Sequence, residues 1–238
     1  MIARAALFVC AFAGCAGATA GGLDQVDRLT QDQFAGLSRD LAAVAAYRSV
    51  TPAAPLGLTG FDLGLGGDAI KLQASNAYAI ASGSGGDSTV YTARFYLGKG
   101  LPYGFDLGAT ATVASGSGAS ILGGELRYAL LDDGVATPAL ALRANYSQAF
   151  GMSRLGLRTY GADLMISKKF TVVTPFAGVG SLRTDATPEG IATLSAERFT
   201  VARYFIGLNA NFLLLNIAVE ADRTGEVDSI SAKFGWRF

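Results

Sequence analysis

The sequence contains no histidine. That removes the side chain most used as a general base and metal ligand near neutral pH. Cysteine occurs only at Cys10 and Cys15, so a chain processed after residue 20 has neither a disulfide nor a thiolate ligand. Charge is scarce, at 16% of residues against the roughly 25% usual in soluble domains. The 19 acidic and 19 basic residues balance and leave no electrostatic footprint for nucleic acid. Beyond the N-terminus no stretch approaches the ~18 consecutive apolar residues of a membrane-spanning helix, although half of all residues are apolar. A soluble protein of this composition would run short of polar groups for its surface. Strands on which apolar and polar residues alternate, closed into a barrel within a bilayer, reconcile these observations.

Three segments follow along the chain. Residues 1–20 read as a secretory signal, with Arg4 in the basic region, Ala5 to Ala16 as the apolar stretch and Ala18-Thr19-Ala20 as the cleavage site. Phe12-Ala13-Gly14-Cys15 also resembles a bacterial lipoprotein box, with Phe where Leu is usual, and lipidation at Cys15 is the less favoured processing. Residues 21–56 hold a helix and a linker, expected in the periplasm. Thr30-Gln31-Asp32-Gln33 fits a capping box. Phe34, Leu37, Leu41 and Val44 then share one helical face over about Gln31 to Ala46, before Pro52 and Pro55. Such a helix either packs on the base of a barrel or plugs its lumen, and packing is the simpler expectation.

Residues 57–238 change to a period of two. The spacing predicts an all-β, antiparallel transmembrane barrel of about ten strands, with eight or twelve as alternatives. The strands begin near Gly57, Thr89, Tyr103, Ser120, Pro138, Arg158, Thr174, Arg198, Asn216 and Asp228. In the fifth, Leu140, Leu142, Ala144 and Tyr146 alternate with Arg143, Asn145 and Ser147. The seventh is too rich in glycine for its faces to be assigned. Compact turn signals at Lys99 to Pro102, Asp132 to Gly134 and Lys168-Lys169 alternate with looser segments at Gln73 to Ser88, Ala114 to Ala119, Phe150 to Leu157 and Thr184 to Ala196. Short turns on one rim and longer loops on the other fit an outer-membrane barrel.

The last ten residues, Ser229 to Phe238, alternate apolar side chains at Ile230, Ala232, Phe234, Trp236 and Phe238 and end on an aromatic. This tail resembles the C-terminal signal of Gram-negative outer-membrane β-barrels, broadly of the small OmpA or OmpW type. The resemblance implies insertion into the bacterial outer membrane, with outer-membrane lipid and the barrel-assembly machinery as partners and Phe234, Trp236 and Phe238 as the assembly signal.

Alternation assigns Asp62, Arg94, Asp106, Glu125, Arg127, Arg143, Asp163, Arg203, Glu220, Asp222 and Lys233 to the lumen. Both signs are interspersed, which suits either an internal lattice of ion pairs or a polar pore. No catalytic residue stands out and no enzyme is expected. Barrel proteases, lipid A acyl-modifying enzymes and phospholipases use a histidine that this chain lacks. Gly64 to Gly67 and Gly83 to Gly86 lack the Lys-Ser/Thr of a phosphate loop. No cofactor and no transition metal are expected, and Asp87 and Asp185 are a slender basis for calcium. Two functions fit: a narrow passive channel or transporter for small or apolar solutes, or a non-conducting structural or surface-interaction barrel with a charge-filled lumen.

Overall fold

The computed structural model describes residues 22–83 and 88–238. The signal, both cysteines, Asp87 and most of the second glycine cluster lie outside the described residues. Ten strands close into one antiparallel barrel in which each pairs with its sequence neighbours and β1 pairs with β10. They are β1 Phe61–Lys71, β2 Thr89–Gly100, β3 Phe105–Ala114, β4 Ser120–Leu131, β5 Ala139–Phe150, β6 Leu155–Ser167, β7 Val173–Pro188, β8 Glu197–Phe212, β9 Leu215–Thr224 and β10 Val227–Arg237. The seam closes through the chain's last residue: Phe238 N–H donates to Phe61 O at 3.1 Å, and Phe61 N–H to Phe238 O at 2.8 Å.

Alternation is visible in burial. Along β9, exposed Leu215, Ile217, Val219 and Ala221 alternate with buried Asn216, Ala218, Glu220 and Asp222. Around the outer wall Leu65, Phe95, Leu126, Leu164, Ile206 and Phe234 are all exposed. Aromatics cluster near the rims. Phe61 meets Phe238 and Phe105 meets Tyr128 toward the turn side, and Tyr146 meets Tyr160 toward the loop side.

Glycine on the seventh strand makes room for inward aromatics. Gly178 lies opposite Phe205, and Gly207 opposite Phe176. A Cβ on Gly178 would stand 2.2 Å from the Phe205 ring, and one on Gly207 2.3 Å from the Phe176 ring. Each ring therefore lies over the bare backbone of its neighbour, which fills the narrow interior to close packing. β7 also runs on to Pro188, so that part of the expected Thr184 to Ala196 loop is strand.

Helix α1, Gln31–Ala45, starts at the expected capping box, in which Thr30 Oγ1 accepts from Gln33 N–H and Gln33 Oε1 accepts from Thr30 N–H. It does not pack beneath the barrel. It lies inside the lumen, with Phe34, Leu37, Leu41 and Val44 buried together with Ala42, Ala43 and Ala45. The physical reason is the run Leu41-Ala-Ala-Val-Ala-Ala46, which leaves no polar face for water and is slim enough for a helix to fit within ten strands. A second helix, α2 Ser75–Ser82, occupies the β1–β2 connection expected to be irregular.

Candidate functional site: a threaded lumen

Residues 22–60 run through the barrel from one rim to the other. At the loop rim, Gln25 N–H donates to Ala81 O at 3.0 Å, Ser153 Oγ donates to Asp24 Oδ1 at 2.7 Å, and Gln31 joins Glu197 and the backbone of Ser195. Asp40 anchors α1 to the β1–β2 connection by accepting from Gln73 and Ala74 N–H at 3.0 and 2.7 Å. Below this rim the lumen is apolar: Phe34, Leu37 and Leu41 pack in one cluster with Ile70, Val90, Ile121, Leu155, Leu157 and Val227 of the wall.

The helix ends where the wall becomes charged. Arg48 Nη1 donates to Ala43 O at 2.9 Å and Ala46 O at 3.4 Å, satisfying carbonyls that the last turn leaves open. Its Nη2 meets Asp222 at 3.0 Å and Ser229 Oγ at 3.1 Å. Arg203 meets the same carboxylate at 2.5 Å, lies 3.4 Å from Glu220, and donates to Tyr47 O at 2.7 Å. Arg143 pairs with Asp163 at 2.8 Å and donates to Ser49 Oγ at 2.9 Å, with Glu125 3.9 Å away. The Phe205 ring lies 5.1 and 5.0 Å from the Arg143 and Arg203 guanidinium carbons, within cation–π reach.

Toward the turn rim the pattern continues. Arg127 pairs with Asp106 at 2.7 Å and donates to Thr51 Oγ1 and Pro52 O, both at 2.9 Å. Asp106 also accepts from Leu56 N–H at 3.1 Å. Ser167 Oγ accepts from Ala53 N–H at 3.1 Å. Asp62 holds Lys233 at 2.6 Å and Arg237 at 3.3 Å. Farther along β1, Asp68 pairs with Arg94 of the adjacent β2 at 2.8 Å. Each charge in this network lies within 4 Å of one of opposite sign, as a desolvated charge requires, whereas buried Asp40 is held by backbone amides alone among the described residues.

Shape adds to charge. A Cβ on Gly108 would stand 2.6 Å from Tyr47 Oη, and one on Gly123 2.8 Å from Tyr47 Cδ2. The Tyr47 ring thus fits a notch cut by two glycines of β3 and β4. Val50 is held at φ 50°, a left-handed conformation costly for a β-branched residue, and it is fully buried against Phe176 and Phe205. Around Tyr47, Tyr96, Glu125 and Lys233 a residual chamber remains. It leaves about 20 Å³ in which the centre of a water molecule can move, room for about one water.

Asp62, Arg94, Asp106, Glu125, Arg127, Arg143, Asp163, Arg203, Glu220, Asp222 and Lys233 are all buried in this network. Lys233 and Asp62 meet at the turn rim, apart from the cluster around Arg203. Phe234, Trp236 and Phe238 are exposed on the outer wall. The lumen candidates left out Asp68, which follows Asp62 at even spacing, and Arg237, although alternation puts it on the same face as Lys233. They also left out Arg48, for which no periodic signal exists in a linker.

No protein-family model and no curated protein matches this chain. Among solved structures it is similar to the KdgM porin in complex with disordered oligogalacturonate, with a TM-score of 0.38 at 8% identity over 76% of this chain and 99% of that one. It is also similar to LpxR from Salmonella typhimurium, with 0.37 at 12% identity over 63% and 74%. Ail of Yersinia pestis, in complex with a heparin analogue, gives 0.30 at 11% identity over 75% and 97%.

Proposed function

We propose that the protein is an outer-membrane barrel closed by its own N-terminal segment, which does not conduct in this state and works as a structural and surface-interaction element. The observation that carries this reading is the path of residues 31–56 through the lumen, tied to the wall by Arg48, Arg127, Arg143 and Arg203. Membrane placement rests on the apolar outer wall. It runs around the barrel, whereas soluble monomers expose patches of roughly 300–600 Å². The aromatic tail, whose exposed Phe234 and Trp236 stand beside the β1–β10 seam, supports placement in the bacterial outer membrane and the assembly machinery as a partner.

With the short turns facing the periplasm, residue 22 lies at the outer rim and the segment threads inward to Phe61. A cysteine placed at Gly22 is then labelled by a membrane-impermeant maleimide on intact cells, and labelling only after lysis refutes this orientation. The reading as a whole is tested by single-channel conductance of the refolded, inserted protein in a planar bilayer. The full chain stays silent, and a chain lacking residues 21–54 conducts steadily. Steady conductance of the full chain would return the protein to the channel class. Silence of the deleted chain, inserted and folded by its heat-modifiable gel shift, would show that the wall closes without the segment.

A further inference from the structure

The outer wall carries an open groove on its loop side, spanning β8 to β2 across β9, β10 and β1. It forms where the rim drops. β9 and β10 turn back at Gly225, whereas β8 extends above Arg203, its last residue paired to β9, up to Glu197. The pairing register sets its relief. In one cross-strand row Ala221 lies between Ile206 and Ile230, and Ala69 between Ile230 and Tyr91. The alanines make a floor and the larger side chains its walls. The row nearer the loop rim holds Arg223, Asp228 and Lys71. Arg223 lies 3.6 Å from Asp228, both more than half exposed, so within this row two cations face one carboxylate, with exposed Glu226 in the turn above.

We propose that this groove seats an acyl chain of an anionic membrane lipid and that Arg223 and Lys71 hold the lipid's headgroup phosphate. The proposal rests on the membrane placement given above. The argument is one of complementarity. The groove is apolar where chains lie and cationic at the edge where headgroups lie. A guanidinium receives phosphate oxygens through two N–H groups at once. Higher on the same wall, exposed Arg183 and Arg198 share Asp185 at 3.8 and 4.0 Å, which extends the positive field over the neighbouring headgroups.

The test is electron spin resonance of the full chain refolded into phosphatidylcholine vesicles containing spin-labelled phosphatidylglycerol or spin-labelled phosphatidylcholine. The motionally restricted lipid should favour the anionic label. Lys71→Gln together with Arg223→Gln should lower that preference by roughly fivefold per cation removed, and Lys169→Gln at the turn rim should leave it unchanged. Ala69→Trp, which fills the groove from outside without touching the interior, should abolish the preference with both cations present. Restricted lipid without anionic preference would overturn the seat while leaving the barrel in the membrane. No restricted lipid of either kind would overturn the membrane placement itself. A preference untouched by these variants, or a second copy of the chain crosslinked across Ala69 in its place, would also overturn the proposal.

Discussion

Asp222 is the carboxylate on which the segment and the wall converge, and replacing it gives the sharpest test of the threaded lumen. Arg48 and Arg203 both close on it, at 3.0 and 2.5 Å, and Thr224 Oγ1 donates to it at 2.9 Å. In Asp222→Asn two buried guanidiniums lose their shared anion. Arg203 keeps Glu220 and Asp163 at 3.4 and 3.9 Å, but Arg48 keeps only carbonyls and Ser229. Removing one partner of a buried pair costs about 3–5 kcal/mol, and this site belongs at the upper part of that range. Arg48→Met is milder. Asp222 retains Arg203 and Thr224, so the loss is about 2 kcal/mol, the scale of hydrogen bonds to a charged group. In the double variant no second guanidinium is stranded, so its cost should not exceed that of Asp222→Asn alone, a coupling of about 2 kcal/mol. The assay is equilibrium urea unfolding in detergent micelles, followed by fluorescence of Trp236, the single tryptophan, with wild type and all three variants on one scale. If Arg48→Met costs as much as Asp222→Asn, or if the two costs simply add, the segment is not joined to the wall through Asp222 and the threaded reading fails.

Other outcomes follow from the same packing. Gly123→Val places carbon where Tyr47 Cδ2 would be 2.8 Å away and should destabilise by about 1–3 kcal/mol through overpacking. Tyr47→Ala in that background should recover part of the loss, and thermal melts by circular dichroism read both. Gly178→Ala should cost a similar amount against the Phe205 ring, and Phe205→Leu should relieve it; absence of rescue would argue against the ring-over-glycine arrangement. Deleting Phe238 removes both backbone bonds to Phe61 at the seam, so the yield of folded barrel on refolding into detergent micelles should fall, measured by the heat-modifiable gel shift.

Much of the fold was legible because a barrel wall has two unlike faces, an apolar outer one and a largely polar inner one. Each strand had to alternate, and the alternation of Leu140, Leu142 and Ala144 against Arg143 and Asn145 can be read without coordinates. The capping box at Thr30 and Gln33 was equally local, since both bonds lie within four residues. The faces of β7 were not legible, because its glycines are defined by rings on β8 and by Asp163 on β6, residues distant in sequence. Nor was the place of α1. Its apolar face is the same whether it packs under a barrel or within one, and only the apolar run after Asp40 hinted at burial on all sides.

The sequence by itself determined the strands, their parity and the aromatic close of the chain, because these depend on neighbours within a few residues and on an outer face that is apolar all along the wall. It also supplied charges of both signs at inward parity. Which charge meets which was a tertiary decision. The β8–β9 register brings Arg203 to Glu220 and Asp222, barrel closure brings Asp62 to Lys233 and Arg237, and residues 46–56 run between these groups, so Arg48, on a segment with no periodicity, becomes a partner of the wall. A lumen of the same composition could have stood open. It is filled because the interior of ten strands has room for one Ala-rich helix and one extended chain, and because buried charge without a partner is too costly to leave.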